Sequence, residues 1–108
     1  MAEITDILTK LLERTNQDKV RWQPTSDEQT FVAVLGNLSV MVLRDSIGDP
    51  VLKILNKAGR EIEVLDGGVG SGTEWREDLF ELHKKARRAA LGVDSQLDEL
   101  LKELESGA

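Results

Sequence analysis

An α+β fold is what the 108-residue sequence predicts: an antiparallel meander of four to five strands with one helix before it and two after it. Three features lead there. Apolar runs at Phe31 to Leu35, Leu38 to Leu43, Val51 to Leu55 and Ile62 to Leu65 are separated by Gly36-Asn37, by Asp45 to Asp49 and by Asn56 to Gly59, the pattern of short strands joined by tight turns. The charged segments on both sides carry apolar residues at helical spacing. Between the last run and the long helical segment lies a glycine-rich stretch, 66–73, read as a flexible loop inside a single domain spanning 1–108.

Taken in order, Ile4, Ile7, Leu8, Leu11 and Leu12 recur every three or four residues and stack on one face of a helix from about Glu3 to Thr15. Val20 to Gln23 reads as a short first strand cut off by Pro24, which has no N–H to give a central strand. Gly36-Asn37, with glycine first, is the signature of a type II′ hairpin turn. The hairpin it closes is apolar on both faces: Val32 and Val34 on one, Phe31, Ala33 and Leu35 on the other, so both faces want cover. Asp45 to Pro50 reads as a turn, since Asp45 and Asp49 lack the periodic oxygen ligands of a calcium loop. In the last strand, alternation places Glu61 and Glu63 outward and Ile62 and Val64 inward.

A helix from about Glu74 to Leu91 follows, capped by Ser71 or Thr73. Trp75, Leu79, Leu82, Ala86 and Ala89 or Ala90 form its buried stripe, and Gly92 ends it in the left-handed conformation. A third helix starts at Asp94 or Ser95 and carries Leu97, Leu100, Leu101 and Leu104. Too short to stand alone, it must dock, either on its own sheet to close the structure or in another molecule.

A chain of this length buries roughly 60 to 70% of the surface of its unfolded form. No cysteine is present, which excludes disulfides, thiolate metal sites and cysteine nucleophiles. The amino terminus lacks a basic region leading into an apolar core, and no apolar run approaches the roughly 20 residues that span a bilayer, so a soluble cytoplasmic protein is expected. The net charge of -6 opposes binding to nucleic acid and to anionic membranes. The charge is uneven: Arg76, Lys84, Lys85, Arg87 and Arg88 cluster on the second helix with His83, whereas Asp94 to Glu105 is acidic with Lys102 alone opposing.

No stretch carries the residue types and spacing of a catalytic site, and no cofactor or metal is expected. Gly68, Gly70, Gly72 and Thr73 sit where backbone amides cradle phosphate, but the glycines alternate, no lysine follows the last one, and Asp66 and Glu74 bracket the loop with negative charge. A small phosphate or nucleotide ligand there is the alternative to a mobile linker. His83, the only histidine, is expected at the surface or its boundary, with neighbouring cations and no carboxylate to work with. Around the second helix, Arg76, His83, Lys84, Arg87 and Arg88 surround Phe80 and Leu91, which share an angular position. An apolar centre inside a basic rim is how a protein contact is built, but cover by another element of the same fold, such as the leucine stripe of the third helix, is the plainer reading. The third-helix leucines, Leu97, Leu101 and Leu104 in particular, suit a groove with a basic rim.

Trp22-Gln23-Pro24-Thr25 followed by Phe31, Asn56-Lys57-Ala58-Gly59-Arg60-Glu61-Ile62, and Leu79-x-x-Leu82-x-x-x-Ala86-Arg87-Arg88-Ala89-Ala90-Leu91 resemble fragments of small bacterial accessory domains found beside effectors in conflict systems. The resemblance implies an α+β adaptor role and carries over no functional residue. The expected function is therefore non-enzymatic protein interaction, as an adaptor or immunity-like accessory protein, with a protein partner or self-association as a dimer.

Overall fold

The structure is a computed structural model and describes residues 3–67 and 75–106. It is an α+β fold: an N-terminal helix, a five-stranded antiparallel meander and two C-terminal helices. Helix α1 spans Ile4–Asn16; the strands are β1 Gln23–Pro24, β2 Phe31–Leu35, β3 Leu38–Arg44, β4 Pro50–Leu55 and β5 Glu61–Asp66; α2 spans Arg76–Leu91 and α3 Val93–Glu105. The strands lie in sequence order, β1-β2-β3-β4-β5. Among the described residues no helix is long and apolar enough to cross a membrane.

Each turn follows from its residues. Leu35 pairs with Leu38 across Gly36-Asn37, and of the two only Gly36 has a positive φ, +67°, the pattern of a type II′ turn. The next two connections are the same device used twice. Asp45 and Asn56 each open a loop in which the side-chain Oδ1 accepts backbone N–H groups two and four residues on. Gly48 and Gly59 then take the left-handed conformation three residues after them. The first helix ends on Asp18 at φ +58°, a region that aspartate tolerates better than most side chains.

One face of the sheet holds the core. Phe31 and Ala33 of β2, Val40 and Val42 of β3, Leu52 and Ile54 of β4 and Leu65 of β5 meet Leu8 and Leu11 of α1 and Leu79, Leu82 and Ala86 of α2. Buried Trp22 packs with them, and its indole N–H donates to Thr15 Oγ1 at 3.0 Å. Helix α2 crosses from the β4–β5 side, where Leu79 lies against Gly67, to the β1 side, where Arg87 and Leu91 lie by Pro24. Gly67 is a close approach: a Cβ built there stands 2.9 Å from Pro50 Cγ and 3.1 Å from the Pro50 carbonyl oxygen. Its own N–H donates to that oxygen at 2.9 Å.

Four expectations are corrected. The first strand is Gln23–Pro24, shifted past Val20 to Gln23; as an edge strand it spares Pro24 the need for a second ladder partner. In β5, Ile62 and Val64 are exposed and Leu65 is the residue that enters the core. A register shift opposite Ile54 and Leu55 breaks the alternation, and Val64 pairs with Lys53 on the outer face. Asp66, read as loop, closes β5, and Gly67 is buried behind it; 68–74, with the capping residues Ser71 and Thr73, lie outside the described residues. Helix α3 does not close the structure: it buries none of its residues and its leucines are 51% to 69% exposed. The radius of gyration, 15.5 Å, exceeds the about 13 Å of a compact chain of this length, and the longest dimension is 55 Å.

Candidate functional site

The amino-terminal half of α2 is committed to its own fold. Arg76 Nη1 lies 2.8 Å from the buried Asp49 carboxylate, donates to the Gly67 carbonyl, and its guanidinium stands 4.9 Å from the Phe80 ring centroid. Arg44 covers the same ring at 5.3 Å while its Nε donates to the Gly48 carbonyl at 3.0 Å. Phe80 is thus half-buried between two guanidiniums of its own chain, and Asp49 neutralises part of the positive charge gathered there.

His83, expected at the surface or its boundary, is instead buried at 5% exposure; one turn beyond Leu79 on α2 it faces the sheet and not solvent. Its Nε2 lies 2.7 Å from the Gln29 carbonyl oxygen. A carbonyl only accepts, so Nε2 carries the proton and Nδ1 does not. The ring stands edge-on to Phe31, with centroids 5.5 Å apart. Burial lowers its pKa below 6.5; the bond to Gln29 works the other way, and the nearby Arg44 and Arg87 charges add to the lowering. The imidazole is therefore a neutral donor that ties the 24–30 segment to α2.

Toward the carboxyl end of α2, Lys84 and Arg87 are exposed and Leu91 is 37% exposed beside Pro24, Thr25 and Gln29. Arg88 is bound to Asp94 at the start of α3. The structure thus separates Phe80, Arg76 and His83 from Lys84, Arg87 and Leu91, although all share one helix. The phosphate-site residues Gly68, Gly70, Gly72 and Thr73 lie outside the described residues.

Among the described residues, apolar surface remains open on the outer sheet face and on α3. On the outer sheet face, Val32, Met41, Leu43 and Leu55 are half-buried and Val34 and Val64 exposed, and among the described residues no helix lays its buried stripe there. On α3, at 100° per residue, Val93, Leu97, Leu100, Leu101 and Leu104 form one stripe, with Asp94, Asp98 and Glu105 on one flank and Glu103 on the other. Lys102 points away from it. Gly92, at φ +61°, ends α2 and opens α3 as the single residue between them. Antiparallel helix pairs need about two to five linking residues to turn back, so α3 is carried outward.

A third feature escaped the sequence reading. Between α1 and the end of β2 lies an open groove of about 210 Å³, floored by Ile7, Leu11, Val20 and Leu35 and rimmed by Lys10, Arg14 and Lys19. The signal was present: Lys10 and Arg14 sit one turn apart beside the Ile7–Leu11 row. Comparison of the chain with protein-family models, curated proteins and solved structures finds no match in any of the three.

Proposed function

We propose that the chain is a non-enzymatic protein-interaction module, of the adaptor or immunity-like accessory kind, and that α3 is the element that engages its partner. The observation that carries this reading is the leucine stripe of α3. Four leucines, each at least half exposed, stand on a helix held away from the body by a one-residue link. Such a stripe with polar flanks is how an amphipathic helix presents itself to an apolar groove. The only imidazole in the chain is occupied by a hydrogen bond in the core, which fits a structural role and not acid–base chemistry.

Leu97→Asp/Leu101→Asp tests the assignment, because both side chains are more than half exposed and their loss leaves the core intact. Tagged wild type and the double variant serve as bait in lysate of the source, with circular dichroism and melting showing that both are folded. Wild type is expected to retain a stoichiometric protein that the variant loses. Equal recovery of the same protein by the folded variant removes α3 from the contact.

A further inference from the structure

We infer that the groove between α1 and β2 is the receptor for α3 of a second copy of this chain, so that two molecules exchange their carboxyl-terminal helices around a two-fold axis. This rests on the reading of α3 as the interaction element and names its partner.

Charge is the first argument. The groove has an apolar floor of Ile7, Leu11 and Leu35 and a rim of three cations, Lys10, Arg14 and Lys19. The helix has an apolar stripe with acidic residues on both flanks and its lysine on the far side. Basic rim and acidic flank are complementary, which sets both attraction and orientation. The outer sheet face is the weaker match: its central cation, Lys53, is held by Glu61 at 2.7 Å, whereas on the rim Lys10 has only a looser, exposed contact with Glu13 at 3.6 Å.

Length is the second. The α1 wall of the groove runs from Ile7 to Arg14, and the stripe runs from Leu97 to Leu104. Each covers seven residue steps, about 10 Å of helix.

Connectivity is the third. Gly92 alone separates α2 from α3, too little chain to fold α3 back onto its own body, so an α3 seated in this groove comes from another molecule. A second copy meets the requirement reciprocally. The same pair of surfaces on both molecules closes an isologous dimer with no leucine stripe left over.

The test is light scattering on the full chain at rising protein concentration, run on wild type, on Leu97→Asp/Leu101→Asp and on Lys10→Glu/Arg14→Glu. Wild type is expected at twice 12.0 kDa and both variants at 12.0 kDa. A chain carrying Lys10→Glu/Arg14→Glu together with Asp98→Lys/Glu103→Lys should regain the doubled mass, a rescue that misfolding does not produce. Added salt should weaken the wild-type dimer, since the matched charges lie at a solvated rim. A wild type of 12.0 kDa throughout overturns the inference, as does a dimer that survives both pairs of substitutions. If that monomer still captures a different protein through α3, the exchange falls and the interaction reading stands. If the α3 variant changes neither mass nor capture, both fall.

Discussion

Replacing Arg76 by methionine isolates the contact that locks α2 to the β3–β4 loop. The substitution keeps an unbranched stem but deletes the guanidinium that meets Asp49, the Gly67 carbonyl and Phe80. Asp49 has a side chain only 8% exposed, so removal of its partner strands a carboxylate where water hardly reaches. Breaking a buried pair in this way costs about 3 to 5 kcal/mol. Arg76 itself is 31% exposed, so water enters the space it leaves, which puts the cost at the lower end, about 3 kcal/mol. At roughly 4 °C per kcal/mol for a domain of this size, melting falls by about 12 °C. Asp49→Asn alone removes the charge and leaves Arg76 able to turn to solvent, with a cost of about 1 kcal/mol. The double variant should then be well short of the sum, with a coupling of about 2 kcal/mol. Urea unfolding followed by far-ultraviolet circular dichroism measures all four corners of the cycle. Additivity within about 0.5 kcal/mol would refute the reasoning, because it would mean the carboxylate does not depend on Arg76.

Gly67→Ala should destabilise by about 1 to 3 kcal/mol, because the new methyl meets Pro50 Cγ at 2.9 Å and backbone that cannot yield; denaturant midpoints check it, and an unchanged midpoint contradicts the close approach. For His83, the sign follows from its lowered folded pKa: the unfolded chain takes up the proton first, so this group's stabilisation is complete above about 6.5 and is lost as pH falls through that value toward the folded pKa. His83→Gln retains a donor for the Gln29 carbonyl but does not titrate, so the wild type should lose stability relative to it as pH falls below about 6.5, and a constant difference would show that His83 is not the titrating group.

What the sequence shows of the fold, it shows through local chemistry. Gly36-Asn37 fixes one hairpin, Gly92 caps α2, and the spacing of Leu79, Leu82 and Ala86 by itself marks the buried stripe. It misleads where a residue's face depends on a partner strand. The alternation in β5 points Ile62 and Val64 inward, but parity there is set by Leu65 pairing with Leu52 and reset by the register shift at Ile54 and Leu55. Position on a helical wheel misleads for Phe80 and His83 in the same way. Angle alone does not reveal that Arg44 and the Gln29 carbonyl, remote in sequence, arrive to occupy them.

The candidate site was half legible for a related reason. Amphipathicity states that a stripe must be covered and is silent on what covers it. For α1 and α2 the sheet and each other supply the cover, and Leu8, Leu11, Leu79 and Leu82 fall to 5% exposure or less there. For α3 the stripe is as regular, yet the number of residues before it decides its fate: with Gly92 as the whole link, no turn brings Leu97 and Leu101 back to the sheet. Burying those leucines then requires a second surface, and in the exchange inferred above the basic rim of Lys10, Arg14 and Lys19 would receive the acidic helix. A helix of 13 residues is marginal in water by itself. Docking would therefore raise the helicity of α3 along with the mass of the particle, and the two should vary together as the protein is diluted.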